Sequence, residues 1–179
     1  MLRVNNTSLV IVDVQGKLAQ SMHNKEELFL NLLRITKGAR VLGIPIIWNE
    51  QLPDKLGPTI PEIKEVLSDM QPIVKNTFSC CDNASFMQKL RQSNCSNILL
   101  TGIETHVCVY QTARDLIEKD YVVHLIADAT SSRTEINYRI GLGAIRDCGA
   151  LITTVEMALF EILKVAEGDK FKEIIKIIK

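Results

Sequence analysis

The chain has 179 residues, 46% of them apolar, with 21 lysines and arginines against 21 aspartates and glutamates. That length suits one domain with a proper core, and the composition excludes a disordered chain. The neutral charge balance offers no electrostatic footprint for nucleic acid, and no apolar run approaches the roughly 20 residues of a bilayer crossing.

The N-terminus, "MLRVNNTSLVIVDVQ", runs straight into an apolar stretch without a small-residue cleavage site. No signal peptide is read there, and a cytoplasmic chain is expected. "SLVIVD" (8–13) is an unbroken apolar, β-branched run, as in a strand buried on both faces. Residues 25–42 place Leu28, Leu32, Ile35 and Leu42 near helical spacing, with Gly43 as a stop. "IPIIW" (44–48) predicts the second strand, and "NEQLPDKLGPT" a loop punctuated by Pro53, Gly57 and Pro58. Thr59 or Pro61 opens a short helix over 61–69, and "PIVK" (72–75) is a short third strand. Asn83 can cap a helix over 83–93, which leads into the fourth strand, "NILLTG".

A helix is predicted after Cys108, through "VYQTARDLIEKD", and then a fifth strand, "YVVHLIAD" (121–128). A helix over 135–149 despite two glycines, a sixth strand "ALITT" and a helix "VEMALFEILKV" complete the body. The tail, 168–179, predicts a basic amphipathic helix with Phe171, Ile174, Ile175 and Ile178 on one face. Such a helix can dock on the body or on another subunit, which is the expectation, or lie on a membrane surface. Strands alternating with helices of 10 to 18 residues point to βαβ units, a parallel sheet and helices on both faces. Ligand sites in such sheets lie at the carboxyl ends of the strands, where strand order reverses.

Three strand ends carry reactive or charged side chains: Asp13, Lys75 and, after a short turn, Cys108. Together they make chemical sense. The thiolate is the nucleophile, and a nearby ammonium and a helix N-terminus both lower a thiol pKa. A carboxylate beside them can take the thiol proton and later deliver one to a leaving group. Each residue also has a plainer use, as a turn cap, a solvated lysine or a small buried hydrophobe. The five cysteines, Cys80, Cys81, Cys95, Cys108 and Cys148, lack zinc-site spacing and are expected as free thiols. Cys80 and Cys81 follow Lys75 closely enough that a second thiol near the site could permit oxidation. The three histidines, His23, His106 and His124, form no metal-binding pair, so no metal is expected.

The stretches "LVIVDVQ", "PIVKNTFS", "TGIETHVCVYQTARDL" and "DATSSRT" followed by "GALITTVEMALFEIL" resemble the isochorismatase-like hydrolase family. This is a group of cysteine hydrolases that also contains the nicotinamidases. The resemblance spans roughly residues 8–163 and is nearest to the short single-domain branch. It implies one domain over 1–179, a three-layer α/β/α sandwich on a six-stranded parallel sheet, and a catalytic triad of Asp13, Lys75 and Cys108. It further implies a non-proline cis peptide between Ile103 and Glu104, turning the Glu104 N–H to join the Cys108 N–H in an oxyanion hole. Nicotinamidases carry metal-binding histidines after strand two, and "WNEQLPDKLGP" has none. True isochorismatases cleave a vinyl ether without a cysteine, so Cys108 points to acyl chemistry.

The expected activity is hydrolysis of a C–N bond in a small amide, or of a related acyl compound, through a thioester and without a cofactor. The alternative is an oligomeric or thiol-sensing protein that keeps the triad with little turnover. Gln15, Trp48, Gln51 and Thr105 are candidate pocket residues. Trp48 has a core or interface role as its alternative, and His106 either packs under a neighbour or meets substrate. Asp128 and Arg133 are expected to organise the loop after strand five. A small-molecule substrate and a homo-oligomer, a dimer or larger, are the expected partners, with no nucleic acid and no membrane.

Overall fold

The first apolar run lies in the middle of the molecule. In the computed structural model, which describes residues 1–179, strand β1 (Thr7–Val12) is buried along its whole length. It pairs in parallel with β2 (Ile46–Gln51) on one side and β4 (Asn97–Ile103) on the other. With β3 (Ile73–Lys75), β5 (Val122–Ser131) and β6 (Leu151–Thr153), the sheet has six strands in the order β3-β2-β1-β4-β5-β6. Every pairing is parallel. Successive residues of β1 serve opposite layers because strand side chains alternate in direction.

Leu9 and Ile11 join a core with Leu32, Ile35, Trp48 and Leu159. Val10 and Val12 join a second core with Phe86, Leu90, Leu116 and Ile145. The helices follow from this division. In chain order they are α1 (Gly16–Gln20), α2 (Lys25–Leu42), α3 (Pro53–Leu56), α4 (Pro61–Val66) and α5 (Ala84–Gln92). Then come α6 (Tyr110–Glu118), α7 (Glu135–Asp147), α8 (Val155–Leu163) and α9 (Gly168–Ile178). Residues of α2, α4, α8 and α9 line the first core, and those of α5, α6 and α7 the second.

Local signals explain several boundaries. Gly43 ends α2 in a left-handed conformation, φ 78°, and the Asn83 side chain accepts the Phe86 N–H at the start of α5. The tail helix α9 docks on α2, burying Ile174, with Lys170 Nζ donating to the Leu42 carbonyl at 3.3 Å. No helix is long and apolar enough to cross a membrane.

Four elements depart from the sequence reading. Strand β2 begins at Ile46 and continues through Asn49, Glu50 and Gln51, because β3 pairs with those polar residues. Helices α1 and α3, of five and four residues, were not expected. Strand β5 runs on to Ser131, and its register with β4 jumps between Leu100↔Leu125 and Gly102↔Thr130. Strand order reverses between β1 and β4, so their carboxyl ends flank the crevice where ligands bind in open parallel sheets.

Candidate active site

The chain leaves the sheet abruptly at this crevice. Asp13, Leu52 and Glu104, the residues following β1, β2 and β4, all have positive φ, at 55°, 40° and 57°. Such conformations cost about 1–3 kcal/mol each for a residue with a side chain, and they cluster at functional sites. Gly102 makes a further close approach: at φ 128°, a Cβ there would sit 2.2 Å from the Val12 carbonyl oxygen. Only glycine lets β4 lie so near the end of β1.

These turns bring Asp13 and Lys75 together. Lys75 Nζ donates to Asp13 Oδ2 at 2.7 Å, to Gln51 Oε1 at 2.9 Å and to the carbonyls of Thr77 and Phe78 at 2.9 and 3.2 Å. Both partners are buried, so the ammonium depends on this cage of oxygens to repay its desolvation. Burial raises the Asp13 carboxyl above its ordinary value, with Lys75 pulling the other way. Asp13 Oδ1 is buried and has no hydrogen-bond partner.

Cys108 lies in a single wide helical turn, Thr105–Val109, leading into α6. Its Sγ donates to Gln51 Oε1 at 3.5 Å. Burial, and then the Asp13 carboxylate beside it, push the thiol up to about 12, with Lys75 opposing. The lowering expected from the ammonium and the helix N-terminus is therefore overridden, and the resting group is the neutral thiol. Cys80 is raised by burial, and Cys81 is pushed up to about 12 for the same reason. All five cysteines are free thiols, and all but Cys148 are buried.

Around Cys108 the structure forms a cavity of about 420 Å³. Leu18, Leu56, Phe78, Ile103 and Val107 supply apolar walls, and Asp13, Gln51, Glu104 and Arg133 polar ones. Arg133 Nε donates to Glu104 Oε1 at 2.8 Å. Glu104 Oε2 is 3.5 Å from His106 Nε2, and His106 Nδ1 is 3.0 Å from Ser132 Oγ. A second cleft, of about 320 Å³, lies at His23, Glu27, Asp128 and Tyr138 and contains no cysteine. There Asp128, within β5, accepts the Val155 N–H at the start of α8 through Oδ1, a bond to the helix after β6 and not to the loop after β5.

The other expected site residues divide. Gln51 lines the cavity and touches both Lys75 and Cys108. Gln15 does not line it. Its Oε1 accepts the Gln51 N–H at 2.6 Å, and its Nε2 donates to the carbonyls of Gln51 and Gly57 at 3.1 and 2.7 Å. It clamps the end of β2 to the turn after α3. Trp48 is a core residue, its ring in the first core and its Nε1 donating to Thr59 Oγ1 at 2.7 Å. Thr105 is fully buried and takes no part in the cavity wall.

The cis peptide is a further correction. The structure contains no cis bond, so Ile103–Glu104 is trans. The sharp turn is made by Glu104 itself, in the left-handed conformation at φ 57°, ψ 62°. A left-handed residue achieves it at less cost than a non-proline cis bond. Leu18, Leu56 and Phe78 were missed as wall residues. Two of them sit on α1 and α3, which are too short for a periodic signal.

Comparison with known proteins agrees with this architecture. The family model described as the isochorismatase domain matches residues 7–157. Isochorismatase domain-containing protein 2 of Xenopus laevis is 36% identical over 170 residues, covering 95% of this chain and 82% of its own. The solved structure of MAR1 ribonuclease from Caenorhabditis elegans superposes with a TM-score of 0.92 at 35% identity, covering 99% of this chain and 91% of that one. The YcaC gene product of Escherichia coli, described as an octameric hydrolase of unknown specificity, shares the fold with a TM-score of 0.93 at 21% identity. That pair covers 98% of this chain and 89% of the other.

Proposed function

The chain belongs to the isochorismatase-domain family of hydrolases, and on that premise we propose that it is a cysteine hydrolase of a small amide or related acyl compound. Residues 1–179 act as one catalytic unit, with α9 packed on α2. The observation that carries the proposal is the buried, unpartnered Asp13 Oδ1 beside a protonated Cys108, with Lys75 fixed on the other carboxylate oxygen. A carboxylate in that position has one open task, which is to receive the thiol proton.

The reaction divides into two halves. The Cys108 S–H turns from Gln51 to Asp13 Oδ1 and gives up its proton as Sγ attacks the substrate carbonyl. The carbonyl π pair moves to oxygen, and the Cys108 backbone N–H, in the turn leading into α6, stabilises that charge. The Glu104 N–H was expected beside it on the strength of a cis bond, and the trans bond removes that basis. The tetrahedral species collapses, the C–N bond breaks and Asp13 protonates the departing amine. Water then adds to the thioester with Asp13 as base, the C–S bond breaks, and the carboxylic acid leaves as the thiol recovers its proton. Lys75 keeps the developing thiolate tolerable beside the carboxylate.

The thiol-sensing alternative is disfavoured by the same geometry. Sensor cysteines are exposed and low in pKa, whereas Cys108 is buried and raised. A homo-oligomer is part of the proposal, because α7 leaves Ile136 and Ile140 exposed one turn apart. The test is incubation with a library of small amides, followed by amine release and intact-mass analysis. An acyl adduct on Cys108 that water clears, absent in Cys108→Ala, is the expected result. Full turnover by Cys108→Ala rules covalent catalysis out.

A further inference from the structure

We propose that the Gln51 side-chain amide is a catalytic hydrogen-bond donor of this site, with Nε2–H meeting the substrate oxygen that becomes negative as Cys108 attacks. The proposal rests on the cysteine-hydrolase reading and adds to it a residue with a defined task. Its first support is the orientation of the amide. Lys75 Nζ has three hydrogens and no lone pair, so the Gln51 atom 2.9 Å from it must be the oxygen. Cys108 Sγ shares that same oxygen at 3.5 Å.

Every hydrogen bond of the Gln51 side chain therefore runs through Oε1, and the two hydrogens of Nε2 have no partner within the chain. They lie on a half-buried residue that lines the cavity with Cys108, on the same amide group that touches the reacting sulfur. An amide donor so placed is neutral. It can stabilise a developing oxyanion without altering the charge balance among Asp13, Lys75 and Cys108.

The second support is rigidity. A donor aids catalysis when it need not be reorganised at the moment of reaction. Both main-chain polar groups of Gln51 are held by the Gln15 side chain, and the residue ends a strand paired on both sides. The lysine ammonium then fixes the far end. The trans Ile103–Glu104 peptide supplies the context, because the donor once expected from Glu104 is without its basis.

In the step itself, the Sγ–H proton passes to Asp13 Oδ1, an S–C bond forms, and the C=O π pair settles on oxygen against Gln51 Nε2–H and the Cys108 N–H. No external oxidant or reductant enters. The experiment compares two probes of one thiol. p-Nitrophenyl acetate acylates Cys108 through an oxyanion, and iodoacetamide alkylates it by displacement without one. Rate constants at Cys108 are read by peptide mass for the wild type, Gln51→Glu and Gln51→Leu. The first variant keeps the shape and an oxygen for Lys75, and thermal melts confirm folding of both. The ratio of acetylation to alkylation cancels any change in thiol acidity.

We expect acetylation to fall roughly 10²–10³-fold more than alkylation in both variants. If the two rates move together, or neither moves, Gln51 only positions its neighbours and the proposal is overturned. Should Gln51→Leu fail to fold, Gln51→Glu decides. Wild-type protein that alkylates but is never acetylated at Cys108 overturns the hydrolase reading itself, and this proposal with it.

Discussion

Gly141 of α7 rests directly on the backbone of His106, and a Cβ on Gly141 would lie 2.8 Å from the His106 nitrogen and 2.9 Å from its Cα. The helix thus braces from behind the turn that carries Cys108. Main chain cannot yield as a flexible side chain can, so Gly141→Ala must displace either α7 or the turn. We expect a loss of about 1–3 kcal/mol in urea unfolding. Acetylation of Cys108 should fall in the same protein. A variant with wild-type stability and kinetics would show that the turn is not braced by this contact.

Removing the lysine tests the charge balance. In Lys75→Met, Asp13 loses the main influence opposing its desolvation, so its pKa rises further. For a carboxyl raised in the folded state, stability falls as pH climbs from the unfolded value to the folded one. The variant should lose about 3–5 kcal/mol at mildly alkaline pH and less at mildly acidic pH, where Asp13 takes up a proton. Asp13→Asn in the same chain should restore much of the loss. Equal destabilisation at both pH values would mean that the buried carboxylate is not its source.

Thiol chemistry should show the effect of burial directly. An ordinary cysteine levels off in reactivity above about pH 8.5–9. Cys108, pushed up to about 12, should alkylate ever faster across that range. The unfolded chain releases the thiol proton first, so between the ordinary value and about 12 the folded state binds more protons, and stability declines with rising pH. Cys80 and Cys81 act in the same direction. Cys81→Ala should move the alkaline unfolding midpoint upward. An alkylation profile at Cys108 that levels off near pH 9 would contradict the assignment.

Gln15 offers a structural counterpart. Its side chain satisfies the Gln51 N–H and the carbonyls of Gln51 and Gly57. Gln15→Leu leaves those groups of the half-buried Gln51 and Gly57 unpaired and should cost about 1–3 kcal/mol. The end of β2 should also loosen, lowering acetylation at Cys108 through Gln51. Unchanged denaturation midpoints would show that the clamp is dispensable.

The strands and most helices could be read from periodicity, because a parallel sheet buried on both faces leaves unbroken apolar runs. The strand-end rule then singled out Asp13, Lys75 and Cys108, which the structure brings to one crevice. What escaped was tertiary. Asn49, Glu50 and Gln51 look like a loop by composition, and their pairing with β3, with Asn49 also paired to Val12 of β1, makes them strand. The raised thiol was hidden for the same reason, since the Lys75 ammonium and a helix N-terminus suggest a lowering and burial overrules them. Trp48 was open between pocket and core, and the partner that settles it, Thr59, lies across a loop.

The position of the Cys108 sulfur is set almost wholly by main chain: the approach of Gly102 to Val12, the left-handed Glu104 and the contact of Gly141 with His106. The cavity wall, by contrast, is made of side chains from separate short pieces, with Leu18 on α1, Leu56 on α3 and Phe78 in the loop after β3. Frame and lining are therefore separable. On the proposed hydrolase reading, randomising Leu18, Leu56 and Phe78 should redirect the preference for one acyl group over another while Cys108 stays in place, so that selectivity can be rewritten without rebuilding the frame.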